Sequence, residues 1–201
     1  LRHAHPVYRF FPHKTKGEGF FLAALRKASG EVDEIIRPKS KNKKDKGKAA
    51  PVIPPVVNKW IQEPDSFRME IFNDTIQAIP SIHYDTWQLL STQLRIVSAG
   101  IRIGEIKGKD ILPAHSLALS TALNKEAFTC AEVSWDDAIK YLKKEVLLLP
   151  AEIEKGYVLV CYQGFPLGFV KHLGNRANNL YPQEWRIRTG YMPEQIQLLT
   201  D

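Results

Sequence analysis

Between Lys155 and Arg188 the chain carries five Lys/Arg and a single acid, Glu184. Lys171, His172, Arg176, Arg186 and Arg188 are set there among Gly174, Asn175, Asn178, Asn179, Tyr181 and Trp185. Ammonium and guanidinium groups meet phosphate, carboxamides read sugar and base edges, and flat rings stack on bases. Together they suit a single-stranded or structured RNA. The residues expected to touch it are Lys171, His172, Arg176, Asn178, Asn179, Arg186 and Arg188. Plainer readings stand beside these. Charge runs are usually solvated faces, His172 also suits a solvated loop, and Asn175 suits a left-handed turn position. Tyr181 and Trp185, next to Pro182, are expected to close a small barrel, with Trp185 in its core.

The element that must carry these groups is a hairpin. Tyr157 to Tyr162 is a β-rich run, Gln163-Gly164 supplies a two-residue turn, and Phe165 to Val170 resumes as a second strand. Gly164 and Gly168 read as backbone-geometry positions, for the turn and for close strand approach. Upstream, Trp60-Ile61 opens a globular pattern, and Phe67–Phe72 and Thr75–Ile79 predict strands about an Asn73-Asp74 turn. Asp85 is placed to cap a helix burying Trp87, Leu90 and Leu94. A strand is expected from Leu94 to Ile106, broken at Gly100 and Gly104. A helix is expected from about Leu112 to Ala122, opened near His115 and burying Leu119 and Leu123. Phe128–Val133 predicts a short strand, and Ser134 a cap for the helix Trp135–Lys144. That helix has acids in its first turn and lysines in its last, matching the macrodipole.

The run GYVLV-(x)3-GFPLGFVK-(x)2-GNRANNLYPQEWRIR, starting at Gly156, resembles the C-terminal PUA-like module of bacterial RNA cytosine-5 methyltransferases. Near the start of the chain, Phe10-Phe11-Pro12-His13, Gly17-Glu18-Gly19-Phe20-Phe21 and Ala24-Leu25-Arg26-Lys27 resemble the last antiparallel hairpin of that family's Rossmann-like catalytic domain. Many relatives have Asp where this chain has Glu18. The resemblance covers roughly residues 5–28 and 110–190, and only a spacer lobe is recognised at 59–110. It implies ribosomal RNA as partner, S-adenosylmethionine as methyl donor of the parent enzyme, and a cytoplasmic location. In the family a cysteine attacks C6 of cytosine so that C5 takes the methyl group, and a second cysteine helps release the product. Thr129-Cys130 matches the family's Thr-Cys pair, yet Ala131-Glu132-Val133 follows it and no Asp-Ala-Pro-Cys stretch is present. Cys130 is therefore expected to be a core thiol. Gly100, Gly104 and Gly108 are spaced by four, unlike a dinucleotide-type loop. No catalytic or cofactor-binding residue is assigned, and this stretch alone is expected to be inactive.

The implied architecture is α+β. It comprises a terminal hairpin of the catalytic domain (1–28), a basic, proline-containing linker (29–58), a small mixed lobe (59–110), a PUA-like β pseudo-barrel with short helices (111–190) and a tail (191–201). Residues 1–58 hold 13 Lys/Arg and 5 Asp/Glu, a net +8, and residues 59–201 hold 15 and 17, a net −2. The formal charge of +6 therefore reports the leading segment. Arg37, Lys39, Lys41, Lys43, Lys44, Lys46 and Lys48 suit either a phosphate tether or a self-repelling spacer. No run of eighteen apolar residues predicts a membrane span, and no apolar segment follows Leu1 as a secretory signal would require. The lack of an initiator Met suggests a piece of a longer protein. Cys130 and Cys161 read as free thiols of a cytosolic protein. His3, His5 and His13 lack a fourth ligand at zinc spacing, so no metal is expected. Glu126, Glu132, Asp136, Asp137, Glu145, Glu152 and Glu154 leave a second function class open, a module contacting ribosomal proteins or the methyltransferase domain.

Overall fold

The computed structural model describes residues 7–14, 17, 19–23, 53–150 and 152–190. Most of the basic linker, His3, His5, Glu18 and the tail lie outside the described residues. Strands β1 (Val7–Phe10) and β2 (Phe20–Ala23) pair antiparallel, Val7 opposite Ala23 and Phe10 opposite Phe20, as the sequence predicts. This hairpin is a unit of its own. Its rings support one another, with Phe10 and Phe20 at 6.1 Å and the Arg9 guanidinium 5.7 Å from the Phe21 ring.

The second unit is mixed α+β. Its elements run α1 (Val56–Lys59), β3 (Phe67–Phe72), β4 (Thr75–Pro80), α2 (Tyr84–Gln93), β5 (Ile101–Lys107), β6 (Asp110–Pro113), α3 (His115–Ala118), β7 (Thr129–Glu132), α4 (Trp135–Leu142), β8 (Gly156–Tyr162), β9 (Phe165–His172) and β10 (Ala177–Asn179). One sheet has the order β3-β4-β5-β6, antiparallel throughout. The other has the order β10-β9-β8-β7, with β7 parallel to β8 and the remaining pairs antiparallel. Both predicted two-residue turns form. Asn73 and Asp74 take φ of 47° and 61°, and Gln163 and Gly164 take 51° and 78°. Paired positive φ is the hallmark of a type I′ turn, whose twist matches that of the strands it joins. The second turn is pinned from outside: Lys125 Nζ donates to Gly164 O at 2.8 Å, and Gly164 N donates to Glu132 Oε1 at 3.2 Å.

Side chains alternate along β8, so its two faces enter two cores. Leu159 and Cys161 join Val57, Trp60, Ile76, Ile103, Leu117 and Phe169. Val158 and Val160 join Ala131, Tyr141, Leu147, Val170 and Ala177. A strand covered on both sides needs an unbroken apolar run, which Tyr157–Cys161 provides. Each such fully buried side chain contributes about 1.5–3 kcal/mol. The first core draws on residues from both sides of position 110, and the β5–β6 hairpin crosses that position.

Several local expectations are corrected. Helix α2 begins at Tyr84 with His83 at its N-cap, so Asp85 lies in the first turn and caps nothing. None of its residues is fully buried: Trp87 is half-buried, while Leu90 and, just past its end, Leu94 are exposed. Residues 94–100 form no strand and Val97 is 93% exposed; β5 starts only after Gly100, at φ 59°. The helix expected over 112–122 shrinks to four residues. Leu112-Pro113 belongs to β6, and Ser120 turns the chain by accepting from Ala122 N at 3.1 Å, which leaves Leu119 58% exposed. Ser134 does cap α4, accepting from Asp137 N at 3.2 Å. No helix among the described residues is long and apolar enough to cross a membrane.

Candidate nucleic-acid interface

Strand β10 adds to β9 with Asn178 opposite Lys171 and Ala177 opposite His172. Tyr157 of β8 lies opposite Lys171 on the other side. Alternation therefore gives Tyr157, Lys171 and Asn178 one face, and Val170, His172 and Ala177 the other. His172 is only 2% exposed, with Nδ1 3.3 Å from Glu154 O. It is a wall of the fold, and the expectation that it meets phosphate is corrected.

Lys171 is reachable but engaged. Its Nζ lies 2.6 Å from Asp110 Oδ2 and 5.0 Å from the centroid of the Tyr157 ring, while Tyr157 donates to the same carboxylate at 2.8 Å. Lys171, ahead of Tyr157, holds the Asp110 carboxyl below its ordinary range, and Asp110 in turn raises the Lys171 ammonium. Nothing local in the sequence joins Asp110 to Lys171; only β6 and β9 together do. Asn179 is engaged more fully. Its Nδ2 donates to Tyr141 O at 2.9 Å and Glu145 O at 3.0 Å, and its Oδ1 accepts from Tyr181 N at 2.9 Å. Both of its N–H donors serve the C-terminal end of α4, which corrects its place in the RNA set. Asn175 does not take a left-handed conformation; Gly174 supplies the turn instead, at φ 100°.

Arg176, Asn178, Arg186 and Arg188 are exposed. The ion pairs among the described residues are Arg102–Glu105, Lys107–Glu105, Lys140–Asp137 and Lys171–Asp110, so none of these three arginines is neutralised by a described carboxylate. Two locations hold them. Arg176 and Asn178 stand with Lys171 where β9 meets β10. Arg186 and Arg188 follow a 3-10 turn, Gln183–Trp185, on a segment tied to α4 by Ile187 N donating to Leu142 O at 3.0 Å. Lys144 Nζ also donates to Tyr181 O.

The aromatic expectation is half right. Tyr181 packs inward, perpendicular to Tyr141 at 5.5 Å and to His115 at 5.0 Å. Trp185 is not core: it is 57% exposed and meets His115 edgewise, centroids 5.3 Å apart at 76°. His115 opens α3 as predicted, but sequence reasoning missed its place under these rings. Its Nδ1 is buried without a hydrogen-bond partner, and burial pushes the imidazole pKa down. Gly168 makes room for it. Its φ is 147°, and a Cβ there would stand 2.1 Å from Tyr141 Oη and 2.8 Å from His115 Nδ1.

Cys130 is exposed, not core, because β7 is the edge strand and turns only Ala131 inward. Cys161 is buried, and burial, reinforced by the neighbouring Cys130, pushes its thiol up to about 11. Gly100 and Gly104 are packing positions, where a Cβ would approach Ala78 O to 2.2 Å and Leu112 O to 2.8 Å. Among the described residues no three His, Cys, Asp or Glu side chains gather closely enough to hold a metal ion.

A family model described as the methyltransferase RsmF PUA domain matches residues 128–187. Curated relatives called ribosomal RNA small subunit methyltransferase F align over most of the chain. The protein of Enterobacter sp. strain 638 is 26% identical over 180 residues, covering 87% of this chain and 36% of that protein. That of Shewanella baltica strain OS195 is 25% identical over 200 residues, covering 94% and 40%. That of Shewanella loihica is 31% identical over 93 residues, covering 46% and 18%. The chain thus spans well under half the length of the relatives it matches. It is similar to a part of the ribosomal RNA small subunit methyltransferase F proteins, and its residues 128–187 match the model of that family's PUA domain.

Proposed function

We propose that this chain is the RNA-binding region of an S-adenosylmethionine-dependent ribosomal RNA (cytosine-5) methyltransferase, gripping the RNA so that a separate catalytic domain acts on one cytosine. The observation that carries the reading is the trio Arg176, Arg186 and Arg188, exposed and without a described carboxylate partner, on and just beyond the matched PUA stretch. Unpaired guanidinium groups on rigid backbone suit phosphate recognition. Asn178 stands beside them as a sugar or base reader. Lys171 joins only when a phosphate displaces Asp110, so it serves as a weaker contact.

In this reading the PUA-like barrel is built from β7–β10 with α3 and α4, residues 59–110 are a supporting lobe, and β1–β2 is the closing hairpin of the Rossmann-like domain. The catalytic domain, working in the cytoplasm, holds the methyl donor and extrudes the target base. Protein contact through the acidic residues is the weaker alternative. Asp137 pairs with Lys140 and Glu132 pins Gly164, so those carboxylates serve the fold. Filter binding of the chain to small-subunit ribosomal RNA across a salt series tests the reading. Three phosphate contacts predict a log–log salt slope of roughly −2 to −3. No binding even at low salt refutes it.

A further inference from the structure

We infer that Trp185, followed in the chain by Arg186 and Arg188 and supported edgewise by His115, is a stacking platform for an unpaired nucleobase, so that the RNA held here is looped or single-stranded and not duplex. The inference rests on the RNA reading above and deepens it.

Four observations support it. First, the indole is exposed by placement and not by fraying. Trp185 N donates to Pro182 O at 3.2 Å, Ile187 N to Leu142 O at 3.0 Å, and Tyr181 is clamped by His115 and Tyr141. A tethered segment thus holds 57% of a large apolar side chain in water. Second, the ring's contact to His115 is perpendicular, at 76°, so it is supported without being covered by a parallel neighbour. Third, its sequence neighbours Gln183, Glu184, Arg186 and Arg188 are all exposed and polar. Protein-binding surfaces favour a contiguous apolar patch around an exposed aromatic residue; an exposed ring followed in the chain by guanidinium groups without carboxylate partners is the pairing that single-stranded nucleic acid uses. Fourth, the support is itself constrained. His115 fits only because Gly168 has no side chain, since a Cβ there would lie 2.8 Å from Nδ1. His115 is in this sense a positioning residue.

The stated chemistry selects the substrate class. In a duplex each base face is covered by its neighbours, so only an unpaired base can offer a face to Trp185. The cations act on phosphate whatever the pairing, and the ring does not.

The test uses the full chain and two RNAs of equal length, a stem-loop with unpaired nucleotides in the loop and a fully paired duplex. Affinities are read by filter binding, and tryptophan fluorescence reports stacking. The wild-type chain is expected to prefer the stem-loop and to show saturable quenching with it alone. Trp185→Ala should weaken stem-loop binding by about tenfold, leave duplex binding and salt slope unchanged, and abolish most of the quenching. Trp185→Phe should recover part of the affinity. The Arg186→Ala/Arg188→Ala pair should instead weaken both RNAs and flatten the salt slope. Salt-dependent binding that is equal for both RNAs, or indifferent to Trp185→Ala, overturns the inference while the RNA reading stands. A Trp185→Ala chain that binds RNA normally but loses small-subunit ribosomal proteins overturns it in favour of protein contact. Absence of salt-dependent binding to any RNA removes the RNA reading and the inference with it.

Discussion

Replacing Gly168 by Ala should be among the costliest one-carbon changes in this protein, and the structure separates its two causes. The first is backbone strain: φ is 147°, a region nearly confined to glycine, and holding a side chain there costs about 1–3 kcal/mol. The second is overlap. The new methyl would stand 2.1 Å from Tyr141 Oη and 2.8 Å from His115 Nδ1, in a wall where Tyr141 is fully buried, so neighbours must shift at about 1–3 kcal/mol. Together these predict a loss of about 2–6 kcal/mol, or roughly 4–24 °C in Tm for a domain of this size. Gly108→Ala is the control. Its φ is 64° and nothing lies within 4 Å, so it should lose only the strain of a left-handed residue, about 1–2 kcal/mol. Tyr141→Phe separates the overlap. Tyr141 donates to Phe169 O at 3.2 Å, but that carbonyl also accepts from Leu180 N at 3.1 Å, so the single change should cost about 0.5–1.5 kcal/mol. Combined with Gly168→Ala it should recover about 1 kcal/mol or more relative to the sum. Urea unfolding followed by far-UV circular dichroism reads the wild type and all four variants. A Gly168→Ala loss below about 0.5 kcal/mol, or strict additivity with Tyr141→Phe, would refute the packing argument.

The remaining expectations concern charge and thiols. Lys171→Ala should change the RNA salt slope less than Arg186→Ala or Arg188→Ala, because Asp110 already holds Lys171, and Asp110→Asn should steepen the slope by about 0.7 as the ammonium is released; equal effects of all three alanine changes would contradict this. His115 is neutral in its buried setting, so folding disfavours its proton. Stability should be full above the ordinary value of 6.5 and fall as pH drops through the depressed folded value, a fall that His115→Phe should abolish in urea midpoints taken from pH 8 to 5. With a thiol reagent at neutral pH, Cys130 should react promptly and Cys161 only on unfolding, since one is exposed and the other is buried with its thiol pushed up to about 11.

What the sequence made legible was governed by short-range chemistry. Asn73-Asp74 and Gln163-Gly164 announce their turns because few other dipeptides accept two successive positive φ values. Ser134 announces its helix because its hydroxyl meets a backbone donor three residues on. The β8 run announces double burial through its lack of polar alternation. Long-range relations were not legible. His172 looked free because its strand continues two residues beyond Val170, a length set by pairing with β10. Asn179 looked available until α4 ended beside it. Cys130 looked buried because its segment is amphipathic, but β7 is an edge. Trp185 looked like core as an aromatic residue near Pro182, whereas Tyr181 packs inward and Trp185 only meets His115 edgewise.

Ultraviolet crosslinking of the chain to small-subunit ribosomal RNA, with peptide mapping by mass spectrometry, tests the central claim most directly. Crosslinked nucleotides should fall on peptides holding Arg176–Asn178 and Trp185–Arg188 and vanish from the latter in Trp185→Ala. Crosslinks confined to the β3–β5 sheet and α2, with none between residues 171 and 188, would contradict it.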